Sequence, residues 1–356
     1  MKQSSKNFKR IVVKIGSSLL CPDKGKLERG LLNEITGQIQ DLVKDGKEIV
    51  VVSSGAIALG MAILKLESRP KELAYLQAAA AIGQPELMDI YRESFKQRQL
   101  NCPQLLLTWE DFNDRSRYLN AKNTLLALLK LNSVPIINEN DTVSTDEIKF
   151  GDNDRLSALV SILIGADLLV ILSDVDGLLE KDKKTLVRLV DKITPQIHGL
   201  ACPTDKKTCV GGMVTKIEAA RIVVDSGIPC VIANGRRKGI IKSCVDNSSE
   251  SGTLFLPKKD HLAAKKRWIA FSAKPKGKII VDDGARLALL NKKSLLSVGI
   301  VGCEGSFNKG DIVSLRDKQN REFARGKAAL SSGELDKIKG RRCEKEAAHC
   351  DNIVIL

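Results

Sequence analysis

Histidine is nearly absent from this 356-residue chain: only His198, His261 and His349 occur, far apart and outside every motif. A histidine metal centre or a histidine-based catalytic triad therefore has no material to work with. The nine cysteines are dispersed, odd in number, and form no CxxC pair. That pattern argues against a disulfide framework or a zinc site and for reduced thiols. No apolar run reaches the length of a membrane span, so no membrane partner is expected. The basic start MKQSSKNFKR runs into IVVKIGSSLL, which carries Lys14 and Gly16. It has neither the apolar core nor the cleavage site of a signal peptide, and a cytoplasmic location is expected. No GxxxxGK[ST] loop occurs, which excludes a P-loop fold. No GxGxxG fingerprint follows the first strand either. Chemistry in this chain must run on lysine, aspartate, asparagine and backbone amides.

What remains is ordinary in amount, with 43% hydrophobic and 28% charged residues, as expected of a globular protein. The length implies about two domains. Charge is uneven. From Lys258 onward 22 Lys and Arg face 12 Asp and Glu, so +10 of the net +14 lies in the last third. Such a tail suits a polyanion such as RNA, or is simply a solvated lysine-rich surface. Phe307 and Phe323 read as core residues, so the tail has no clear set of stacking aromatics.

The chain is organised around residues 134–177. A buried strand after Pro135 ends in Asn138, Glu139, Asn140 and Asp141. A second polar cluster, Gly151 to Asp154, opens a helix over Leu156–Ile164. A second strand, Leu168–Leu172, ends in Ser173, Asp174, Val175, Asp176 and Gly177. Polar residues at the carboxyl ends of parallel strands mark the ligand edge of an open α/β sheet. A helix N-terminus adds unpaired N–H groups that favour an anion.

Before this stretch, Arg10–Ile15 reads as a strand turning out through KIGSS (Lys14–Ser18). Leu27, Leu31, Ile35, Ile39 and Leu42 recur at helical spacing. Glu48–Val52 is a strand entering SSGAIALG. A helical region from Lys71 to about Gln99 is expected to break at Gly83-Gln84-Pro85. Pro103–Leu107 reads as a strand and Tyr118–Leu131 as a helix; Ser144–Phe150 resembles an extended arm. After it, Glu180–Lys192 reads as a peripheral hairpin, Gly211–Gly227 as a glycine-led helix and Pro229–Ala233 as the last strand of this domain. Strand–helix alternation predicts an α/β domain with a mainly parallel sheet sandwiched by helices. The boundaries expected are 1–257 for this domain, 258–275 for a linker, and 276–356 for a small β-barrel-like domain of glycine-punctuated strands.

Two lysines, Lys14 and Lys216, follow small-residue loops at opposite ends of the first domain, and Asp154 and Asp174 lie between them. Phosphoryl transfer needs cations, amides around phosphates and an aligned acceptor, and no histidine. The inventory permits that chemistry and little else.

The order KIGSS, SSGAIALG, INENDTV, GDNDRLSAL, SDVDG and GGMVTK resembles the amino acid kinase family, and within it the members that phosphorylate the γ-carboxylate of L-glutamate. The tail segments VDDGARLALL, SLLSVGI, GSFNKGD and ARGKAALSSGEL resemble a PUA domain. The resemblance implies ATP and Mg²⁺ as cosubstrate and cofactor, with no dedicated protein metal site. It implies Lys14, Asp154 and Lys216 as the catalytic set. Lys14 and Lys216 stabilise the transferring phosphoryl group, and Asp154 orients them. It implies ATP contacts from Lys14, Ser173, Asp174, Val210, Gly211, Gly212, Met213, Val214, Thr215 and Lys216. It implies substrate contacts from Ser54, Asp141 and Asn153. Ser173 stands where the family usually has Thr, and Cys209-Val210 replaces the usual Gly-Thr before Gly211-Gly212-Met213. Also implied are a homo-oligomer (dimer or tetramer), the first step of proline synthesis, hand-off of a reactive acyl phosphate to glutamyl phosphate reductase, and RNA contact through the PUA domain. Sibling kinases acting on aspartate, N-acetylglutamate or a nucleotide, and an RNA-binding accessory protein, are the competing readings.

Overall fold

A computed structural model describes residues 8–22, 27–144, 152–201, 212–258, 264–341, 343 and 345–356. The chain divides into one compact unit spanning 1–111 and 115–261 and a second formed by 112–114 and 262–356.

The first unit is built on an eight-stranded sheet. Its strands are β1 (Arg10–Ile15), β2 (Glu48–Ser53), β3 (Gln104–Leu107), β4 (Ile136–Glu139), β5 (Leu168–Ser173), β6 (Leu189–Val190), β7 (Cys230–Asn234) and β8 (Thr253–Phe255). Their order across the sheet is β3-β4-β2-β1-β5-β7-β8-β6. The six from β3 to β7 run parallel, β8 is antiparallel to β7, and β6 pairs parallel with β8. The apolar runs IVVKI, IVVV and LLVIL form the sheet's centre because both of its faces are covered. Ile11, Val13, Val51, Val170, Leu172 and Val231 are all fully buried.

The principal helices are α1 (Arg29–Lys44), α2 (Ala56–Ile63), α3 (Leu73–Lys96), α4 (Arg115–Lys130), α5 (Asp152–Ile164), α6 (Met213–Asp225) and α7 (Ile240–Asp246). α3 departs from the sequence expectation, since it runs unbroken through Gly83-Gln84-Pro85. Proline in a helix interior costs about 3 kcal/mol, and burial outweighs it here. Leu87, Tyr91 and Phe95, on the far side of the proline, are as buried as Ala79 and Ala80 before it. Gly83 is required by contact rather than flexibility: a Cβ there would lie 1.9 Å from the Ala56 carbonyl oxygen. α3 thus presses its backbone onto the first turn of α2, directly after the Ser54-Gly55 loop. Gly55 itself sits at φ +112°, a conformation costly for any other residue.

The peripheral hairpin expected over Glu180–Lys192 is realised only in part. Leu179 and Leu186 bridge in antiparallel fashion, but Leu189–Val190 leaves the pair to edge the main sheet beside β8. The arm expected at Ser144–Phe150 lies, beyond Ser144, outside the described residues.

In the second unit Ala264–Arg267 and Trp268–Ser272 are helical, within the segment expected as linker. Trp268 is buried and donates its indole N–H to the Phe112 carbonyl at 2.9 Å. After it come β9 (Gly277–Val281), β10 (Leu295–Leu296), β11 (Ile300–Glu304), β12 (Ile312–Arg316), β13 (Glu322–Lys327), β14 (Glu346–Ala348) and β15 (Ile353–Ile355). They make a five-stranded sheet, β11-β9-β12-β13-β15, and a β10-β14 pair, over a core of Ile279, Val281, Phe307, Val313, Leu315 and Leu335. Phe307 is core, as expected. Phe323 is only half-buried and carries the Arg286 guanidinium 5.7 Å above its ring.

Candidate active site

β1, β2, β4 and β5 all end on one edge of the sheet, so the polar residues that follow them are brought together by topology alone. Lys14 is the penultimate residue of β1, flanked by Val52 and Ile171 on neighbouring strands. Asp154 lies in the first turn of α5, and Lys216 in the first turn of α6. These three residues, separated by 140 and 62 positions in the sequence, meet at one point.

Lys14 Nζ lies 2.5 Å from Asp154 Oδ1, and Lys216 Nζ lies 3.3 Å from Asp154 Oδ2. Thr215 Oγ1 donates to the same Oδ2 at 2.8 Å. Asp154 has no exposed surface, while Lys14 and Lys216 are 5% and 7% exposed. Two cations and one anion are thus held almost out of water with a net charge of +1. Isolated, such charges are very costly to bury, and the arrangement holds only because each has its partner. Burial lowers the Lys14 ammonium below its usual range, and Lys216 adds to that, while Asp154 opposes it. Burial would raise the Asp154 carboxyl, but the two lysines and Thr215 outweigh it and hold it below the usual carboxylate range. The surplus positive charge is suited to a polyanion that enters from the open side of the sheet edge.

Backbone groups add to that field. α6 begins at Met213 with Gly212 as its extended cap, and among the described residues no side-chain cap closes this end. Such an N-terminus favours a phosphate. Met213 and Val214 are half-buried in this first turn. Ser173 ends β5 and Asp174 follows it; the Ser173 hydroxyl donates to Asp174 at 3.1 Å, and Asp174 contributes attraction at Lys14. Val210 and Gly211, expected in the same loop, lie outside the described residues, as does Cys209.

A second group sits across from this one. Asn153, beside Asp154, donates to Ser54 Oγ and to Asn138 Oδ1, each at 3.0 Å. Its own Oδ1 accepts the Glu139 backbone N–H at 3.3 Å. Asp141 lies in the turn after β4, close to Arg69. Burial pushes its carboxyl up to about 6, against the pull of the Arg69 guanidinium.

The structure therefore joins Lys14, Asp154 and Lys216 in one cluster and Ser54 with Asn153 in a second. Asp141 stands in the turn beyond, with Arg69 as its charged neighbour. Sequence reasoning missed three participants. Thr215, expected as an ATP contact, has a further part in bracing Asp154. Arg69 lies just before the helical region expected from Lys71 and was given no role. Gln84 was read as part of a helix break. A signal for Gln84 existed: it sits among Ala80, Gly83, Leu87 and Met88 on a buried stripe, where an uncharged polar residue needs a reason.

A parallel sheet with an acid-bridged pair of buried lysines at its carboxyl edge is the frame of a phosphoryl-transferring α/β protein. The pattern of the amino acid kinase family matches residues 9–234 and that of the PUA domain matches residues 277–349. The chain belongs to the amino acid kinase family. Curated relatives match it from end to end and share one name. The Glutamate 5-kinase of Pelagibacter ubique is 45% identical over 365 residues, covering 98% of this chain and 99% of that protein. The Glutamate 5-kinase of Pelobacter propionicus is 44% identical over 368 residues, covering 99% and 98%. The Glutamate 5-kinase of Thermoanaerobacter sp. (strain X514) is 43% identical over 364 residues, covering 98% of each chain.

Proposed function

We propose that this protein is a glutamate 5-kinase, which transfers the γ-phosphoryl group of ATP to the γ-carboxylate of L-glutamate. The observation that carries the reading is the buried Lys14–Asp154–Lys216 bridge at the sheet edge, in a chain whose full-length relatives bear that name.

In this reading an oxygen of the γ-carboxylate attacks the γ-phosphorus, the bond from that phosphorus to the β–γ bridging oxygen breaks, and ADP leaves with that electron pair. The nucleophile is already an anion, so no general base is needed, which fits a site without histidine. The difficulty is repulsion between two anions. Lys14 and Lys216 offset it by donating to oxygens of the transferring group. Asp154 keeps the two ammonium groups at fixed separation and abstracts no proton. Among the described residues the site offers no cage of free carboxylates, because Asp154 is committed to both lysines. That fits Mg²⁺ carried mainly on the nucleotide's phosphate oxygens, the usual mode for this ion. When bound there, Mg²⁺ supplies further neutralisation of the triphosphate.

Ser54, held by Asn153, is assigned to the acceptor's carboxylates and Asp141 to its ammonium group. The Asp141 assignment has a pH consequence. Its carboxyl is raised to about 6, so it loses its charge as pH falls through that value. The glutamate KM is expected to rise about tenfold one pH unit below it, while Asp141→Asn is expected to give a high KM with little pH dependence. A wild-type KM that stays flat from about pH 8 to about pH 5 contradicts the assignment.

The product is an acyl phosphate that hydrolyses or cyclises in water, which supports rapid hand-off to a reductase in a cytoplasmic biosynthetic route. A homo-oligomer is part of the same reading. The basic tail and its PUA match support RNA contact as a secondary property, which absence of a salt-sensitive gel shift with structured RNA removes.

The test of the main reaction is an ADP-release screen with Mg·ATP and four acceptors: glutamate, aspartate, N-acetylglutamate and UMP. Release with glutamate, trapped by hydroxylamine as a hydroxamate, is the expected result. Release with one of the others alone overturns the proposal in favour of a sibling kinase.

A further inference from the structure

Gln84, a polar side chain on the buried face of α3, reaches the acceptor subsite through Asn138. It is 9% exposed, and its Nε2 is buried with no hydrogen-bond partner among the described residues. Its Oε1 accepts from Asn138 Nδ2 at 2.8 Å. Asn138, itself 2% exposed, accepts at Oδ1 from the Glu139 backbone N–H at 2.9 Å and from Asn153 Nδ2 at 3.0 Å. The second Asn153 N–H goes to Ser54 Oγ. Four side chains from α3, β4, α5 and the loop after β2 thus form one relay, Gln84–Asn138–Asn153–Ser54.

The direction of every bond in that relay follows from one immovable group. A backbone N–H can only donate, so the Glu139 N–H fixes Asn138 Oδ1 on its own side and turns Nδ2 toward Gln84. Flipping the Gln84 amide would set N–H against N–H; flipping Asn138 would do the same at both Glu139 and Asn153. With Asn138 fixed, Asn153 must present its amide nitrogen to both Asn138 and Ser54. Ser54 Oγ is then occupied as an acceptor, and its single proton has no acceptor among the described residues. The relay fills one acceptor site of the Ser54 oxygen and leaves its proton to donate to a ligand, the polarity that binding a carboxylate requires.

The orphaned Nε2 supplies a second, independent reason to look for function. A buried donor without an acceptor destabilises the fold, and Gln84 carries that cost at Nε2 while its Oε1 satisfies Asn138.

We propose that Gln84 is a positioning residue of the acceptor subsite, acting through Asn138 and Asn153 to hold the Ser54 hydroxyl as a donor toward the substrate's carboxylate. The inference rests on the reading of the bound acceptor as glutamate. Gln84 is not a catalytic residue, since the contacts it makes are to protein.

The test is a double-mutant cycle on the full chain with Gln84→Met, Ser54→Ala and the pair, reading the KM for glutamate and for ATP separately. Gln84→Met is expected to raise the glutamate KM about tenfold, the scale of one lost hydrogen bond, and to leave the ATP KM within about twofold. In the Ser54→Ala background it is expected to add no more than about twofold, because its route to the substrate is already cut. A glutamate KM unchanged in Gln84→Met, an equal rise for both substrates, or fully multiplicative effects in the pair overturns the proposal. Thermal unfolding checks that each variant folds. Gln84→Asn, one methylene too short to reach Asn138, replaces Gln84→Met in the same cycle should that variant fail. A wild type that releases no ADP with glutamate sinks the proposed function instead, so the two failures are distinguishable.

Discussion

Replacing Lys216 by Met is expected to lower kcat about a thousandfold, and replacing Lys14 by Met at least as much. The magnitude follows from what each ammonium group does. Charge moves across the γ-phosphoryl oxygens during transfer, and a donor preorganised in a site shielded from water contributes roughly 3–4 kcal/mol to that step. Both lysines are nearly buried and tied to one carboxylate, so neither needs to reorganise as the reaction proceeds. Arg is not expected to rescue either position. Its planar fork cannot occupy the small space of an ammonium group already within ion-pair distance of Asp154. The glutamate KM should change less than kcat, because the acceptor is held by the separate Ser54, Asn153 and Asp141 group. The measurement is steady-state ADP release at saturating glutamate, and a kcat within about tenfold of wild type for either variant contradicts the assignment.

Asp154→Asn has the second large effect, and it reaches both stability and chemistry. The amide preserves shape and can still accept from Thr215, but it leaves two buried ammonium groups facing each other without their counter-ion. Breaking a buried ion pair in this way costs about 3–5 kcal/mol. The lost carboxylate also removes the main influence that opposes burial at Lys14, so that group's proton affinity falls further. Activity needs Lys14 charged and is lost as pH rises through its already lowered value. The alkaline limb of the rate profile is therefore expected to move to lower pH in Asp154→Asn. The acid side has the opposite sign. The Asp154 carboxyl is depressed in the folded state, so its stabilising contribution is present above the ordinary carboxylate range and lost as pH falls below it. In the variant that acid-side loss disappears. Unfolding midpoints against pH, together with the kcat profile, test both signs; an alkaline limb unchanged from wild type contradicts the role given to Asp154.

The strands that position this site were legible because they are buried on both faces. IVVKI, IVVV and LLVIL admit no other reading once helices flank them, and each ends in the polar residues that line the sheet edge. Lys14 and Lys216 were legible for a related reason, since Lys14 ends a strand just before a small-residue loop and Lys216 opens a helix just after one. What the chain could not disclose was distance. Nothing local says that Lys14 and Lys216 share the two oxygens of Asp154, or that Thr215 braces the same carboxylate. α3 was misread because proline and glycine are local breakers, whereas its continuity is decided by tertiary contact at Gly83, Leu87 and Tyr91. The Gln84 relay was hidden by the same error, because a residue assigned to a break has no face to point from. Short β6 and β8 also escaped, with too few residues to show a period.

The central claim is that Lys14 and Lys216 act on a single ligand through Asp154. A double-mutant cycle on kcat/KM for ATP, with Lys14→Met, Lys216→Met and both together, measures it directly. The account predicts losses that fall short of the product of the single effects by at least about 1 kcal/mol. Strict additivity, or a single variant that turns over like wild type, contradicts it.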